Sequence, residues 1–129
     1  MDKQALTRAL KKDFNFLKGK VLGILLYGSQ LKDPTPRSDI DVCIVAPNMD
    51  DATVISGIFR NVDVSGKKYD VHTFHELPLH IQTQVINHHE EIFVKDRPAL
   101  HEYFYFYRKL WNDQKHRNEV TKEEILAML

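Results

Sequence analysis

The spacing of apolar residues predicts four helices. Positions that recur every three or four residues fall on one face of a helix. The stretches with this spacing are residues 6–17, 51–62, 77–87 and 98–117. Gly19 follows the first stretch as a stop signal, and Pro98 suits the first turn of the last one. Thr121 and Glu124 form a capping box, which predicts a separate short helix that ends at Leu129.

Four short apolar runs predict strands that alternate with these helices. They cover residues 21–27, 40–46, 69–74 and 92–94. The first is apolar throughout, which is typical of a strand buried on both faces. Strands separated by helices predict an α/β (α+β) fold with helices flanking a central sheet. A length of 129 residues suits one domain. We expect residues 1–129 to form it, with a core over about 20–95 and a helical part over about 98–129.

Two carboxylates open the second predicted strand. Because side chains on a strand alternate, Asp39 and Asp41 project from the same face. Cys43 and Val45 continue that face, so it enters the core within two positions. Two neighbouring carboxylates in a cleft repel each other, and a divalent cation is the usual partner that offsets this repulsion. The alternative is that one Asp caps a turn and the other faces the solvent.

Gly28 and Ser29 end the first predicted strand. A glycine there allows a ligand to approach the backbone closely, and the amide and hydroxyl of Ser29 can hold phosphate oxygens. The alternative is an ordinary turn capped by a serine, which Gly-Ser alone would favour. The acidic pair that follows shifts the preference toward a phosphate site.

A third carboxylate, Asp70, lies on the third predicted strand and shares a face with His72. A carboxylate beside two others is a candidate for a raised pKa and for general-base chemistry. The alternative is an exposed residue paired with Lys67 or Lys68. Asp63 is a weaker competitor for the same role, because it ends a helical pattern.

The histidines do not predict a zinc site. His72 and His75 are expected on opposite faces of one strand, and His80 on the next helix. The pair His88–His89 is interpreted as a helix end, where positive charge is favourable. The sequence contains no Walker phosphate loop, dinucleotide glycine fingerprint or Cys-x-x-Cys pair.

The aromatic run from Tyr103 to Tyr107 is larger than one buried stripe requires. The residues expected to face the core are Leu100, Tyr103, Phe104, Tyr107 and Trp111. Tyr105 and Phe106 then lie off that face. They predict either a surface for a partner or two ordinary exposed aromatic residues.

The composition predicts an ordinary cytoplasmic protein. There are 18 basic and 18 acidic residues, so no overall positive charge marks a dedicated nucleic-acid binder. The single cysteine, Cys43, excludes an internal disulfide and suits a reducing compartment. The N-terminal residues lack the apolar stretch of a signal peptide, and no run is long enough to span a membrane.

Taken together, the Gly28-Ser29 pair, the Ser38-Asp39-Ile40-Asp41 segment and the downstream Asp70 resemble the minimal nucleotidyltransferase (MNT) family. This family belongs to the DNA polymerase beta-like superfamily, and the resemblance covers residues 6–111. It implies a mixed sheet, with Asp39 and Asp41 as ligands of Mg²⁺ and Asp70 as a general base or further ligand. It also implies that Gly28 and Ser29 bind the phosphates of ATP.

The resemblance also implies a function and a partner. Such domains transfer a nucleoside monophosphate, most often AMP from ATP, to a hydroxyl group. Stand-alone members are often antitoxins of a helical HEPN-type toxin, some of which they modify with AMP. We therefore expect a protein or RNA acceptor and a HEPN-type partner, and a homo-oligomer stays open.

One departure supports a rival hypothesis. The family usually has Arg-Gly shortly after Gly-Ser, where this chain has Lys32-Asp33. Lys32 and Arg37 are either triphosphate ligands or solvated loop charges. The rival is a binding module of the same fold, with a weak or inactive site, that regulates a partner. A nucleotide-binding domain within a larger complex is a third alternative.

Overall fold

The computed structural model describes residues 2–32 and 38–128, without the side chains of residues 32 and 118–123. Its regular elements are α1 Lys3–Asp13, β1 Gly23–Tyr27, α2 Ser29–Lys32, β2 Ile40–Val45, α3 Asp51–Asn61, β3 Tyr69–Thr73, α4 Leu79–Asn87, β4 Glu90–Val94 and α5 Arg97–Met128. Short 3₁₀ turns follow α1 and β3. In the described part of the chain, no helix is long and apolar enough to cross a membrane.

The strands form one mixed sheet in the order β3-β2-β1-β4. β1 runs antiparallel to β2 and β4, whereas β2 and β3 are parallel. The predicted α/β fold with a mixed sheet is therefore confirmed. The register places Asp41 between Tyr27 of β1 and Asp70 of β3. The sequence-predicted polar residues thus meet at one end of the sheet.

Helices cover both faces of this sheet. On one face, Ile24 and Leu26 pack with buried residues of α1 and α3. On the other, Leu25 and Cys43 pack with buried residues of α4 and α5. All five residues of β1 are buried, which explains why its sequence is apolar without alternation.

The helix ends follow their capping residues. Asp50 accepts a hydrogen bond from the Thr53 amide at the start of α3, and Asp96 caps α5 through the Ala99 amide. The separate last helix predicted from Thr121 and Glu124 is wrong, because α5 continues without interruption to Met128. Residues 99–120 of α5 include neither glycine nor proline, so no helix-breaking residue ends the helix before Thr121.

Asp13 attaches the end of α1 to β3. Its carboxylate accepts hydrogen bonds from Lys67 Nζ at 2.6 Å and from the Tyr69 hydroxyl. Burial by itself raises the Asp13 pKa, but these hydrogen bonds and the Lys67 charge outweigh it and lower the pKa. The folded state therefore gains stability from Asp13 above the unfolded-state pKa of about 4, and loses it as the pH falls further.

Replacing Asp13 with Asn tests this attachment. We expect Asp13→Asn to lower the free energy of unfolding at pH 7 by about 1–2 kcal/mol, since Tyr69 then donates to a neutral acceptor. Urea unfolding at pH 7 measures the loss. Lys67→Ala should cost less, because the Lys67 side chain is 47% exposed. An unchanged unfolding midpoint in Asp13→Asn would contradict the argument.

Candidate active site

Gly28 directly follows β1 and has a backbone conformation that other residues rarely adopt. Its φ is +82°, in the left-handed region. A Cβ atom at this position would collide with Asp41 Oδ2. The absence of a side chain therefore lets the Asp41 carboxylate lie directly against the backbone before α2. Ser29 is the first residue of α2 and is exposed, as expected of a residue that meets a ligand.

The structure brings the three predicted carboxylates together. Asp41 and Asp70 are partners in the parallel β2–β3 register, so their side chains are neighbours on one face of the sheet. Asp39 lies immediately before β2 and is exposed, yet its charge still acts on Asp41. Asp41 is half-buried at the centre of the group. Lys67, the alternative partner of Asp70, pairs instead with Asp13.

The electrostatics identify Asp41 as the most strongly perturbed carboxylate. Burial, the charges of Asp70 and Asp39 and the hydrogen bond with Asp70 raise the pKa of Asp41 to about 6, and His72 opposes this shift slightly. Burial, followed by the charge of Asp41, also raises the pKa of the adjacent Tyr27, so this phenol stays protonated. The site thus concentrates negative charge that a bound cation would offset.

His72 is a member of the site whose role sequence reasoning missed. Its Nε2 lies 2.8 Å from Asp70 Oδ1, so the imidazole orients this carboxylate. The alternation of β3 places both side chains on one face, and this signal was visible in the sequence. His75 lies in the 3₁₀ turn after β3, so placing it on the same strand as His72 was wrong.

Gln30 anchors the segment that leads to the carboxylates. Its side chain is 3% exposed, and Nε2 donates to the Ser38 carbonyl at 3.0 Å. This bond ties α2 to the residue that precedes Asp39. The side chain of Lys32 and the whole of Asp33 and Arg37 lie outside the described residues. The predictions made for that loop are therefore not addressed by the structure.

The described residues fit a magnesium ion that shares its ligands with a nucleotide. Among them, no group of three or more His, Cys, Asp or Glu side chains forms a ready-made metal cage. Mg²⁺ does not require one, since it usually takes one or two carboxylates and completes its shell with phosphate and water. The neighbouring Asp41, Asp70 and Asp39 supply such oxygen ligands, and burial together with the charges of Asp70 and Asp39 raises the pKa of Asp41.

Two further features of the structure concern the exposed aromatic residues of α5 and the space beside the Gly28-Ser29 turn. Leu100 and Phe104 of α5 are buried as predicted, whereas Tyr105 and Phe106 are 67% and 57% exposed. Their exposure confirms that they lie off the core face, and a partner surface there stays a prediction. A second feature, a cavity of about 620 Å³ beside Gly28 and Ser29, was not foreseen. His88 and His89, which the sequence assigns to a helix end, are among its lining residues.

The sheet, the Gly28-Ser29 turn and the adjoining carboxylates define a nucleotidyltransferase-type fold. The family model for "Polymerase beta, Nucleotidyltransferase" matches residues 8–98. The chain belongs to this family, which confirms the resemblance found in the sequence.

Known proteins agree with this assignment. The chain is 44% identical over 99 residues to a protein of Methanocaldococcus jannaschii with a proposed protein adenylyltransferase activity. The aligned region covers 76% of this chain and 75% of that protein. The fold also matches a chain in the complex of the tri-AMPylated Shewanella oneidensis HEPN toxin with an MNT antitoxin. The TM-score is 0.67 at 13% sequence identity, and the match covers 95% of this chain and 98% of the other. A toxin–antitoxin complex with AMP-PNP matches with a TM-score of 0.68 at 15% identity, covering 93% and 98%.

Proposed function

We propose that the protein transfers AMP from ATP to a hydroxyl group of a HEPN-type toxin and thereby acts as its antitoxin. The observation that carries the proposal is the pairing of Asp41 with Asp70 across β2 and β3, directly beside the open backbone of Gly28. The activity proposed for the relative in Methanocaldococcus jannaschii favours a protein acceptor over RNA. The AMPylated toxin in the similar Shewanella oneidensis complex supports the choice of partner.

The residues of the site suit an in-line displacement at the α-phosphorus of ATP. In this proposal, the Gly28 and Ser29 backbone receives the phosphates, and Asp70 lies on the opposite side of Asp41. The acceptor oxygen attacks the α-phosphorus, and its proton passes to Asp70. The bond from the α-phosphorus to the bridging oxygen breaks, and pyrophosphate leaves with the electron pair. His72 holds Asp70 in position through the 2.8 Å contact.

We assign the divalent ion to Asp39 and Asp41, with Mg²⁺ as the ion that their oxygen ligands favour. When bound, such an ion would neutralise the negative charge that develops on the phosphate oxygens. Asp41 contributes by staying close to Gly28, and Asp39 by its exposed position at the mouth of the site. The single-domain organisation and the cytoplasmic location expected from the sequence stay predictions.

A label-transfer assay tests the proposed function. The protein is incubated with a HEPN-type toxin, Mg²⁺ and ATP labelled at the α-phosphate. We expect label on the toxin, and a loss of about 10²–10³-fold in Asp39→Ala and Asp41→Ala, because electrostatic stabilisation of the phosphate is removed. Asp113→Ala, an exposed aspartate on α5, is the matched control.

The same assay separates the rival hypotheses. Label on co-purified RNA instead of the toxin would contradict the protein acceptor. Neutralisation of the toxin that persists in the Asp39→Ala/Asp41→Ala double variant, without label transfer, would contradict the enzymatic proposal and support the binding module.

A further inference from the structure

Helix α5 runs along the sheet toward the end that carries the carboxylates. Near its start, Ala99 lines a cavity with residues that precede β1, at the opposite end of the sheet. Further along, Arg108 donates a hydrogen bond to Asn87 at the end of α4, and Asn87 lines the cavity beside the Gly28-Ser29 turn. The helix then continues for about 30 Å, at 1.5 Å per residue. All described side chains from residue 112 to 128 are exposed, so α5 leaves the domain beside the site.

The carboxylates project from the face of the sheet that α4 and α5 cover. Asp41 shares its strand face with Cys43, which packs with buried residues of both helices. Asp70 is the neighbour of Asp41 on that face. Adjacent strands lie about 4.8 Å apart, so β3 is only about 10 Å from β1, the strand against which α4 packs. A protein whose hydroxyl group reaches Asp70 therefore lies next to the end of α4 and the outgoing part of α5.

A groove separates α4 from α5 on this side of the molecule. The walls of this α4–α5 groove include Leu79, Ile86 and Asn87 of α4 and Tyr107, Arg108 and Trp111 of α5. Because Asn87 also lines the cavity beside the Gly28-Ser29 turn, the groove adjoins the proposed nucleotide site. Its volume of about 180 Å³ is smaller than the range of about 300–1,000 Å³ that is usual for small-ligand sites. A side chain of a protein is therefore a better occupant than a metabolite.

The charges around the α4–α5 groove favour an acidic protein segment. None of the described residues that line the groove is acidic. Over residues 108–117, α5 carries four basic residues and one acidic residue. Arg108 is exposed, and Lys115 lies over the Trp111 ring at 5.7 Å. In the described part of the chain, neither of these two cations forms an ion pair.

The side chains that α5 contributes are of the types that dominate binding at protein interfaces. These types are Trp, Tyr and Arg, and Tyr107, Arg108 and Trp111 supply one of each within about one helical turn. Trp111 is only half-buried, and its neighbour Leu110 is 43% exposed. The groove thus combines an aromatic anchor, an adjoining apolar surface and two cations without a carboxylate partner.

We propose that the α4–α5 groove docks the acceptor protein through an acidic segment that places an apolar or aromatic side chain against Trp111. The proposal rests on the proposed function, because it takes the acceptor to be a protein that receives AMP at the carboxylate site. Arg108 and Lys115 attract the acidic segment, and Trp111 supplies the apolar contact. The groove sets the affinity for the acceptor, and the chemical step belongs to the carboxylates.

Steady-state kinetics with the HEPN-type toxin as acceptor test the groove. The labelled-ATP assay gives kcat and the KM for the toxin, and calorimetry gives the affinity for ATP with Mg²⁺. We expect Trp111→Ala to raise the KM for the toxin by about 30-fold and Arg108→Glu by about 10-fold. Added salt should reduce the difference between Arg108→Glu and the wild type, because it screens exposed charges. Neither variant should change kcat or the affinity for ATP.

Phe59→Ala and Arg60→Glu are the matched controls. Both residues are exposed on α3, which packs on the opposite face of the sheet, so both variants should keep the wild-type KM for the toxin. Arg108→Glu changes an exposed side chain and should unfold like the wild type in urea. It keeps the test decisive even if the loss of the half-buried Trp111 lowers the stability.

Three outcomes separate the proposals. A wild-type KM for the toxin in both Trp111→Ala and Arg108→Glu would overturn the docking proposal and leave the transferase proposal standing. If the wild type transfers no label, the transferase proposal fails, and calorimetry with the toxin decides docking: weaker binding by both variants supports it, and unchanged binding overturns it. If sedimentation shows a wild-type dimer that both variants convert to a monomer with unchanged toxin affinity, the occupant is a second copy and the docking proposal is overturned.

Discussion

Replacement of Gly28 with alanine should nearly abolish label transfer. The φ of +82° costs an alanine about 1–2 kcal/mol, and the added methyl group must displace the Asp41 carboxylate. A displacement of about 1 Å at a catalytic group lowers turnover by about 100-fold. We therefore expect Gly28→Ala to lower both the free energy of unfolding and the rate of AMP transfer, measured by chemical denaturation and the labelled-ATP assay.

Two other glycines provide the controls. Gly19 has a φ of +79° but nothing within 4 Å of its hypothetical Cβ, so Gly19→Ala should reproduce the strain without the loss of transfer. Gly57 lies inside α3, also with open space around it, so Gly57→Ala should raise the stability by about 0.5–1 kcal/mol. If Gly28→Ala transfers AMP as fast as Gly19→Ala, the close approach of Asp41 is not required.

Part of the site could be predicted from the sequence. The alternation of strand residues was sufficient to place Asp39 and Asp41 on one face, and Asp70 beside His72. It did not give the β2–β3 register that makes Asp41 and Asp70 neighbours, because pairing between strands depends on contacts distant in sequence. For the same reason, the sequence did not show that the raised pKa belongs to Asp41.

The fold was predictable where the pattern is local. The apolar run at residues 21–27 and the stripe at 51–62 correspond to β1 and α3 with small differences at their ends. The C-terminal prediction failed because a capping box can also occur within a continuous helix. The cavity at Gln84 and His88 was missed because exposed polar residues on a helix give no periodic signal, and only the packing of α4 against β1 places them near Ser29.

Replacement of Asp41 with asparagine should abolish transfer and yet stabilise the metal-free protein. The variant removes the charge repelled by Asp70 and Asp39, and its amide can donate to Asp70. A pKa shift from 3.8 to about 6 corresponds to about 3 kcal/mol if fully expressed. Because Asp41 is only half-buried, solvent screening reduces the expected gain at pH 7.5 to about 1 kcal/mol. Urea unfolding measures this gain, and the labelled-ATP assay measures a loss of about 10²–10³-fold.

The pH dependence of unfolding gives the sign of the Asp41 effect. Folded Asp41 keeps its proton up to a pKa of about 6, whereas the unfolded chain releases it near 3.8. Stability conferred by the protonated carboxyl is therefore complete below pH 4 and is lost as the pH rises through 6. The gain in stability of Asp41→Asn over the wild type should be absent near pH 4 and complete above pH 7, while the exposed control Asp113→Asn shows no such trend.

Mg²⁺ with ATP should stabilise the wild type but not Asp41→Asn, because only the charged site binds the ion. Equal stability of Asp41→Asn and the wild type at every pH would show that the carboxylates do not repel one another in the folded protein.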